Sequence, residues 1–193
     1  MSTLMPEPVV EVTVDVTFLR MDTPPATPAA LLPAGMEVVD VNRCSSAFYR
    51  YLYDAVGGPW LWWMRRTLSP SELERAIAPP RVSIHALYAR GEPIGFYELE
   101  RRMPDAVNLA YFGLMPDSIG RGVGKTFLRH AIDAAWAERP HCITVNTCTA
   151  DHPRALPNYI DAGYVPLRTM REVWPVPLRL GMSIPAARWW ERS

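Results

Sequence analysis

Two stretches of this chain carry residue types at spacings that could do chemistry. In the first, Gly120, Gly122 and Gly124 alternate with Arg121, Val123 and Lys125, between an apolar run that ends at Pro116 and a helical pattern that opens at Thr126. Glycine has no Cβ, so such a loop can turn its backbone N–H groups toward one point, and the helix start behind it adds partial positive charge. That is a cradle for an anion, above all a phosphate. In the second, Trp60-Leu61-Trp62-Trp63-Met64-Arg65-Arg66 gathers three of the seven tryptophans beside Gly57-Gly58-Pro59. Large rings so placed either pack a core or wall a pocket for an apolar or cationic group.

Periodicity gives the elements that must position these residues. Residues 9–19 alternate, Val10, Val12, Val14, Val16 and Phe18 on one side and Glu11, Thr13, Asp15 and Thr17 on the other, as in a half-buried strand. Prolines crowd residues 22–35 and predict an extended connector too short to separate independent domains. Residues 36–41 could form a short strand, and 45–56 place aromatic residues at helical spacings. Ser69-Pro70-Ser71-Glu72 has the form of a capping box and predicts a short helix through Ile77. Strand-like runs at 82–89 and 93–102 flank the hairpin signal Arg90-Gly91-Glu92, and 106–115 adds a third. Behind the glycine loop, Phe127, Ala131 and Ala135 with Leu128, Ile132 and Trp136 stripe a helix over 126–137. A strand at 142–149, a short helix at 155–162 and a strand at 163–174 follow, and the tail that ends in Arg188-Trp189-Trp190-Glu191 is left unassigned.

A chain of 193 residues with 49% hydrophobic content supports one sizeable core, so a single domain over 1–193 is expected. Twenty basic and twenty acidic side chains cancel, and no run of Lys or Arg forms a stripe for nucleic acid. Cys44, Cys142 and Cys148 lack a C-x-x-C pair, which points to neither a disulfide framework nor a zinc knuckle but to a reducing compartment. His85, His130 and His141 have no second ligand at metal spacing, so no metal site is expected. No apolar stretch approaches the ~20 residues that span a bilayer. The expectation is a cytoplasmic protein with neither membrane nor nucleic acid as partner.

The glycine loop looks like a P-loop in ending Gly124-Lys125-Thr126 before a helix. That motif places four residues between its first glycine and Gly-Lys, which falls on Ile119, and counting from Gly120 leaves three. An antiparallel run leading into the loop also suits a nucleotidase sheet poorly. The interval over residues 82–174 instead resembles the GNAT family of acetyl-CoA-dependent N-acetyltransferases. Gly122-Val123-Gly124 fits the family's Gln/Arg-x-x-Gly-x-Gly/Ala loop, and Ala155, Tyr159, Gly163 and Tyr164 fit its A-x-x-x-Tyr-x-x-x-Gly-Phe/Tyr element in register.

The resemblance implies an α/β (α+β) acyl-CoA N-acyltransferase fold: a central, mostly antiparallel sheet with helices on both faces, in which the strands around Leu114 and Asn146 splay to admit the pantetheine arm. Its implied cofactor is acetyl-CoA (coenzyme A). Leu114 and Met115 would meet the acetyl and pantetheine end, Ile119, Gly120, Arg121, Gly122, Val123, Gly124 and Lys125 would wrap the pyrophosphate, and His152 would contact the cofactor where the family frequently has asparagine. Ile119 stands in the usual Gln/Arg place, so a side-chain contact to phosphate is lost there, for which Arg121 or Lys125 can compensate. Tyr159 stands where the family often has the tyrosine that protonates the departing thiolate. The carboxylate that some members carry six residues before the Leu114 position is Asn108 here, and a carboxamide accepts no proton at neutral pH. Glu98 or Glu100 on the neighbouring strand, or an ordered water, would then serve as base, although both glutamates also read as solvated strand residues. Asp151 reads as an N-terminal cap or first-turn acid of the 155–162 helix. The implied activity is direct acetyl transfer to a primary amine of a small molecule or peptide in a ternary complex. Asn108 and Ile119 keep open a non-catalytic acyl-CoA-binding or regulatory module. The acceptor and the oligomeric state, a homodimer included, stay open.

Overall fold

The structure is a computed structural model that describes residues 7–27 and 31–184. Residues 28–30 of the connector and the end of the tail, with Trp189 and Trp190, lie outside the described residues. In chain order the elements are β1 (Val9–Met21), β2 (Met36–Asp40), α1 (Ser46–Gly57), α2 (Pro70–Ala76), β3 (Val82–Ala89), β4 (Glu92–Met103), β5 (Ala106–Leu114), α3 (Val123–Ala137), β6 (Cys142–Cys148), α4 (Ala155–Asp161) and β7 (Val165–Pro177). Seven strands form one sheet in the order β2-β3-β4-β5-β6-β1-β7. Every neighbouring pair is antiparallel except β5 and β6, which run parallel. The mostly antiparallel sheet with helices on both faces is the expected architecture.

Alternation explains which face each strand buries. On one face, Phe127, Leu128, Ala131, Ile132 and Ala135 of α3 pack on Leu87, Tyr97, Leu99, Leu109, Ile143 and Val145. On the other, Tyr49, Leu52, Tyr53 and Val56 of α1 and Leu73 of α2 cover Val82, Ile84, Ala86 and Phe96. The expected alternation of β1 holds: Val12, Val14 and Val16 are buried together with Leu61 and Val176. Its place does not follow from local pattern, since β1 lies between β6 and β7 and is hydrogen-bonded to both. The capping box forms, with the Ser69 hydroxyl accepting from the Glu72 N–H and the Glu72 carboxylate accepting from the Ser69 N–H. Helix α3 starts three residues ahead of the expected 126, because Val123 is drawn into the core at 1% exposure. Among the described residues no helix is long and apolar enough to cross a membrane.

One polar cluster lies within the α3-side core. The Tyr97 ring stacks on His85 at 4.5 Å, and its hydroxyl shares a 3.1 Å hydrogen bond with Nδ1 of His130. Burial lowers the pKa of both imidazoles below the ordinary 6.5. A depressed folded-state pKa gives stability that is present above the unfolded value and lost as pH falls through the folded one. The melting temperature is therefore expected to fall on acidification from pH 7 toward 5, and less steeply in a His85→Gln/His130→Gln double variant; equal slopes in thermal melts would refute it.

Candidate active site

The site is built where β5 and β6 diverge. Their parallel ladder runs from Ala106↔Cys142 to Leu109↔Val145 and stops there. The cause lies on the other edge of β5: its register with β4 pairs Glu98 with Tyr111 but Leu99 with Leu109, leaving Ala110 as a bulge. A bulge bends and twists its strand, which turns residues 110–114 away from β6. The gap opens into a cavity of about 750 Å³ lined on its two edges by Ala110–Leu114 and by Asn146 and Cys148. The splay at Leu114 and Asn146 is the one expected from the family resemblance.

At one end of this cavity lies the glycine loop. Gly120 and Gly122 have φ of +82° and +81°, a conformation that suits glycine, and a Cβ at either would meet nothing within 4 Å. The loop rim is thus open rather than packed. Gly122 caps α3 without any side-chain hydrogen bond, and the first turn holds no acidic residue, so the leading N–H groups are left for an external acceptor. These features fit a phosphate group. Ile119, Gly120, Gly122, Gly124, Lys125, Leu114, His152 and Tyr159 all line the cavity. Met115, Arg121 and Val123 do not: Met115 leans on the α1-side core, Arg121 is exposed, and Val123 is buried under the loop. The Lys125 ammonium pairs with Asp161 at 3.0 Å on the rim, and His152 accepts the Arg154 N–H on Nδ1 at 3.0 Å.

The opposite half comes from the segment after α1. Two 3₁₀ turns, Gly58–Trp60 and Met64–Thr67, fold the tryptophan stretch over the cavity, and Trp60 to Arg65 line it throughout. These rings both pack the core and line the cavity. Trp62 packs into the core against Tyr53, Phe96 and Tyr111 and also forms the wall. Two contacts tie this wall to the β6–α4 turn across the gap: Trp62 Nε1 donates to Asp151 Oδ1 at 3.3 Å, and Trp60 meets the His152 ring at 5.0 Å. Asp151 does not cap α4, whose N-cap is Arg154 with no side-chain bond. It closes the end of β6 instead, its Oδ2 accepting from Thr147 Oγ1 at 2.8 Å and the Cys148 N–H at 2.9 Å.

Neither glutamate is solvated. Glu98 and Glu100 lie on the α1 face of β4 at 0% and 5% exposure. Glu100 lines the cavity opposite its ladder partner Asn108, whose Oδ1 accepts from Thr144 Oγ1 at 2.9 Å. Glu98 does not line it, because Arg65 closes over its carboxylate at 2.6 Å and the Tyr49 hydroxyl donates to it at 2.5 Å. Burial raises the Glu98 pKa, and Arg65 and Tyr49 oppose that rise. Tyr159, 7% exposed, sits with its ring against Tyr164 at 5.9 Å, and burial reinforced by Asp151 raises its hydroxyl well above the ordinary range. Burial, with the Asp151 charge beside it, pushes the Cys148 thiol up to about 12, so the thiol keeps its proton and is a poor nucleophile. Tyr53, Arg65, Tyr111, Asn158 and Trp174 also line the cavity; no spacing in the sequence marks them, since they come together only through the bulge and the 3₁₀ turns.

A mostly antiparallel sheet opened at its single parallel pair, with a glycine-capped helix at the opening, is the frame of an acyl-CoA N-acyltransferase. The model of the Acetyltransferase (GNAT) family matches residues 45–164, and the chain belongs to that family. Acyl transfer is its general activity. Among solved structures the fold is similar to that of a functionally unknown conserved protein from Staphylococcus epidermidis, with a TM-score of 0.63 at 12% identity, over 86% of this chain and 63% of that one. It is similar too to a GCN5-related N-acetyltransferase from Sphaerobacter thermophilus, with a TM-score of 0.62 at 15% identity, over 88% of this chain and 54% of that one. A GCN5-related N-acetyltransferase from Kribbella flavida gives a TM-score of 0.58 at 16% identity, over 90% of this chain and 63% of that one. At these identities the likeness is one of fold, and the chain spans less than two thirds of the length of each. No curated protein matches the chain.

Proposed function

We propose that this protein transfers an acetyl group from acetyl-CoA to a primary amine of a small molecule or peptide, directly within a ternary complex. The observation that carries this reading is the continuity of the cavity, which runs from the open glycine loop along the splayed strands to Tyr159 on one side and to Glu100 and the tryptophan wall on the other. Acetyl-CoA would supply an activated acetyl thioester. The N–H groups of Gly124 and Lys125 and the loop before them would hold its pyrophosphate, and the edge of β5 beyond Leu109 would receive the pantetheine arm. Glu100, one strand over from Asn108, takes the proton the amine must lose before it attacks the carbonyl carbon. Tyr159 gives a proton to the sulfur as the C–S bond breaks. The protonated Cys148 thiol argues against a relay through an acyl-cysteine. The three free cysteines support a reducing, cytoplasmic setting.

The test combines a thermal shift with acetyl-CoA and a CoA-release assay over a panel of amines. Turnover is expected with at least one amine; binding of acetyl-CoA without turnover would support the non-catalytic module instead. Gly122→Val is expected to weaken acetyl-CoA binding about tenfold or more, because a β-branched residue disfavours φ of +81° by roughly 1–2 kcal/mol. Titration calorimetry on the folded variant checks it.

A further inference from the structure

Resting on the transferase reading, we infer that the acceptor is a monoamine whose remaining body is apolar, an arylalkylamine or alkylamine without a carboxylate or a second amine. The half of the cavity away from the glycine loop is walled by Tyr53, Trp60, Trp62, Trp63, Tyr111 and Trp174. The innermost rings form a mutually braced set: Tyr53–Trp62 at 5.4 Å, Trp62–Tyr111 at 5.0 Å and Tyr53–Tyr111 at 5.1 Å. The backbone is shaped to seat them. A Cβ at Gly57 would lie 2.4 Å from the Trp62 ring, and one at Gly113 would lie 2.5 Å from Val56. Leu61, between the tryptophans, is held in the left-handed region at φ +57° by burial among Val12, Val14 and Val16. A rigid, ring-lined wall favours a ligand with apolar surface to bury.

Charge separates the acceptor classes. The charged side chains that line the cavity, among the described residues, are Arg65, Glu100 and Asp151, with Lys125 paired to Asp161 at the glycine loop and Arg154 at the exposed N-cap of α4. Arg65 is closed by Glu98 at 2.6 Å and by the faces of Tyr49 and Tyr111. Asp151 already accepts hydrogen bonds from Trp62, Thr147 and the Cys148 N–H. An acceptor carboxylate seated on the rings would therefore find Arg65 engaged and Glu100 repelling it. A polyamine or an aminoglycoside would bring several ammonium groups into a chamber where desolvated charge needs a partner each, and Glu100 and Asp151 are the only carboxylates facing them among the described residues. One amine directed to Glu100, with the rest of the molecule on the rings, satisfies both limits.

The experiment titrates 2-phenylethylamine, spermidine, kanamycin and phenylalanine into the CoA complex by calorimetry and measures CoA release from acetyl-CoA with each. 2-Phenylethylamine is expected to bind at least tenfold more tightly than the other three and to give the highest kcat/KM. Trp62→Leu, or Trp60→Leu on the rim if the first does not fold, should lower that preference tenfold with CoA affinity unchanged. Spermidine, kanamycin or phenylalanine binding as tightly as 2-phenylethylamine, or none of the four binding, overturns the inference. Preferential binding of 2-phenylethylamine without turnover upholds this pocket and defeats the transferase reading alone.

Discussion

Tyr159→Phe is expected to lower kcat by about 100-fold, the scale of a lost general acid, while leaving the KM for acetyl-CoA nearly unchanged. The substitution is clean because the ring does separate work. It packs in the α3-side core against Tyr164, and phenylalanine retains that packing; only the hydroxyl goes. Its environment also fixes the pH behaviour. Burial disfavours the phenolate, and the Asp151 carboxylate disfavours it further, so the hydroxyl holds its proton well past the ordinary value of 10.0. A raised pKa keeps the acid in its donating form across the assay range. The wild-type rate should therefore climb with pH as the amine loses its proton, with no falling limb below about pH 10. Profiles from pH 6 to 10 should run parallel for the two proteins, offset by the loss. A falling limb present in the parent and absent in Tyr159→Phe would contradict the burial argument.

What could be read from the sequence was what short-range physics determines. Alternation in residues 9–19, the Ser69–Glu72 capping box and the stripe on α3 are local signals, and all three form as expected. The glycine loop was legible because its left-handed residues leave glycine as the choice of lowest strain, and the structure has Gly120 and Gly122 there. The site's depth was not. The Ala110 bulge leaves no mark in a run of apolar residues, yet it separates β5 from β6 and brings Glu100 opposite Asn108. Two glutamates at alternate positions of one strand look equivalent in sequence; Arg65, more than thirty residues earlier, makes them different by closing over Glu98 alone. Sequence proximity assigns Asp151 to the nearest helix start, whereas its partners are Thr147, Cys148 and the distant Trp62. The slot of β1 between β6 and β7 is a long-range outcome of the same kind.

The Arg65–Glu98 pair beneath the tryptophan wall should dominate stability. Glu98 is fully buried and Arg65 nearly so, at 2.6 Å from each other, with Tyr49 completing the carboxylate's coordination at 2.5 Å. Removing one partner strands the other charge in a low-dielectric interior, which costs about 3–5 kcal/mol. For a chain of this size that is a fall in Tm of roughly 6–20 °C. Arg65→Ala and Glu98→Ala should each show it, and because the pair is shielded from solvent the loss should persist in high salt. An Arg65→Met/Glu98→Leu double variant should recover much of the stability, since two apolar groups leave no orphaned charge. Glu98→Gln discriminates the anchor from a base. As an anchor, its loss lowers Tm, and turnover of the protein that remains folded stays near the parent's, whereas Glu100→Gln lowers the kcat of the folded protein. The reverse pattern, turnover abolished in Glu98→Gln at an unchanged Tm, would return the proton-accepting role to Glu98.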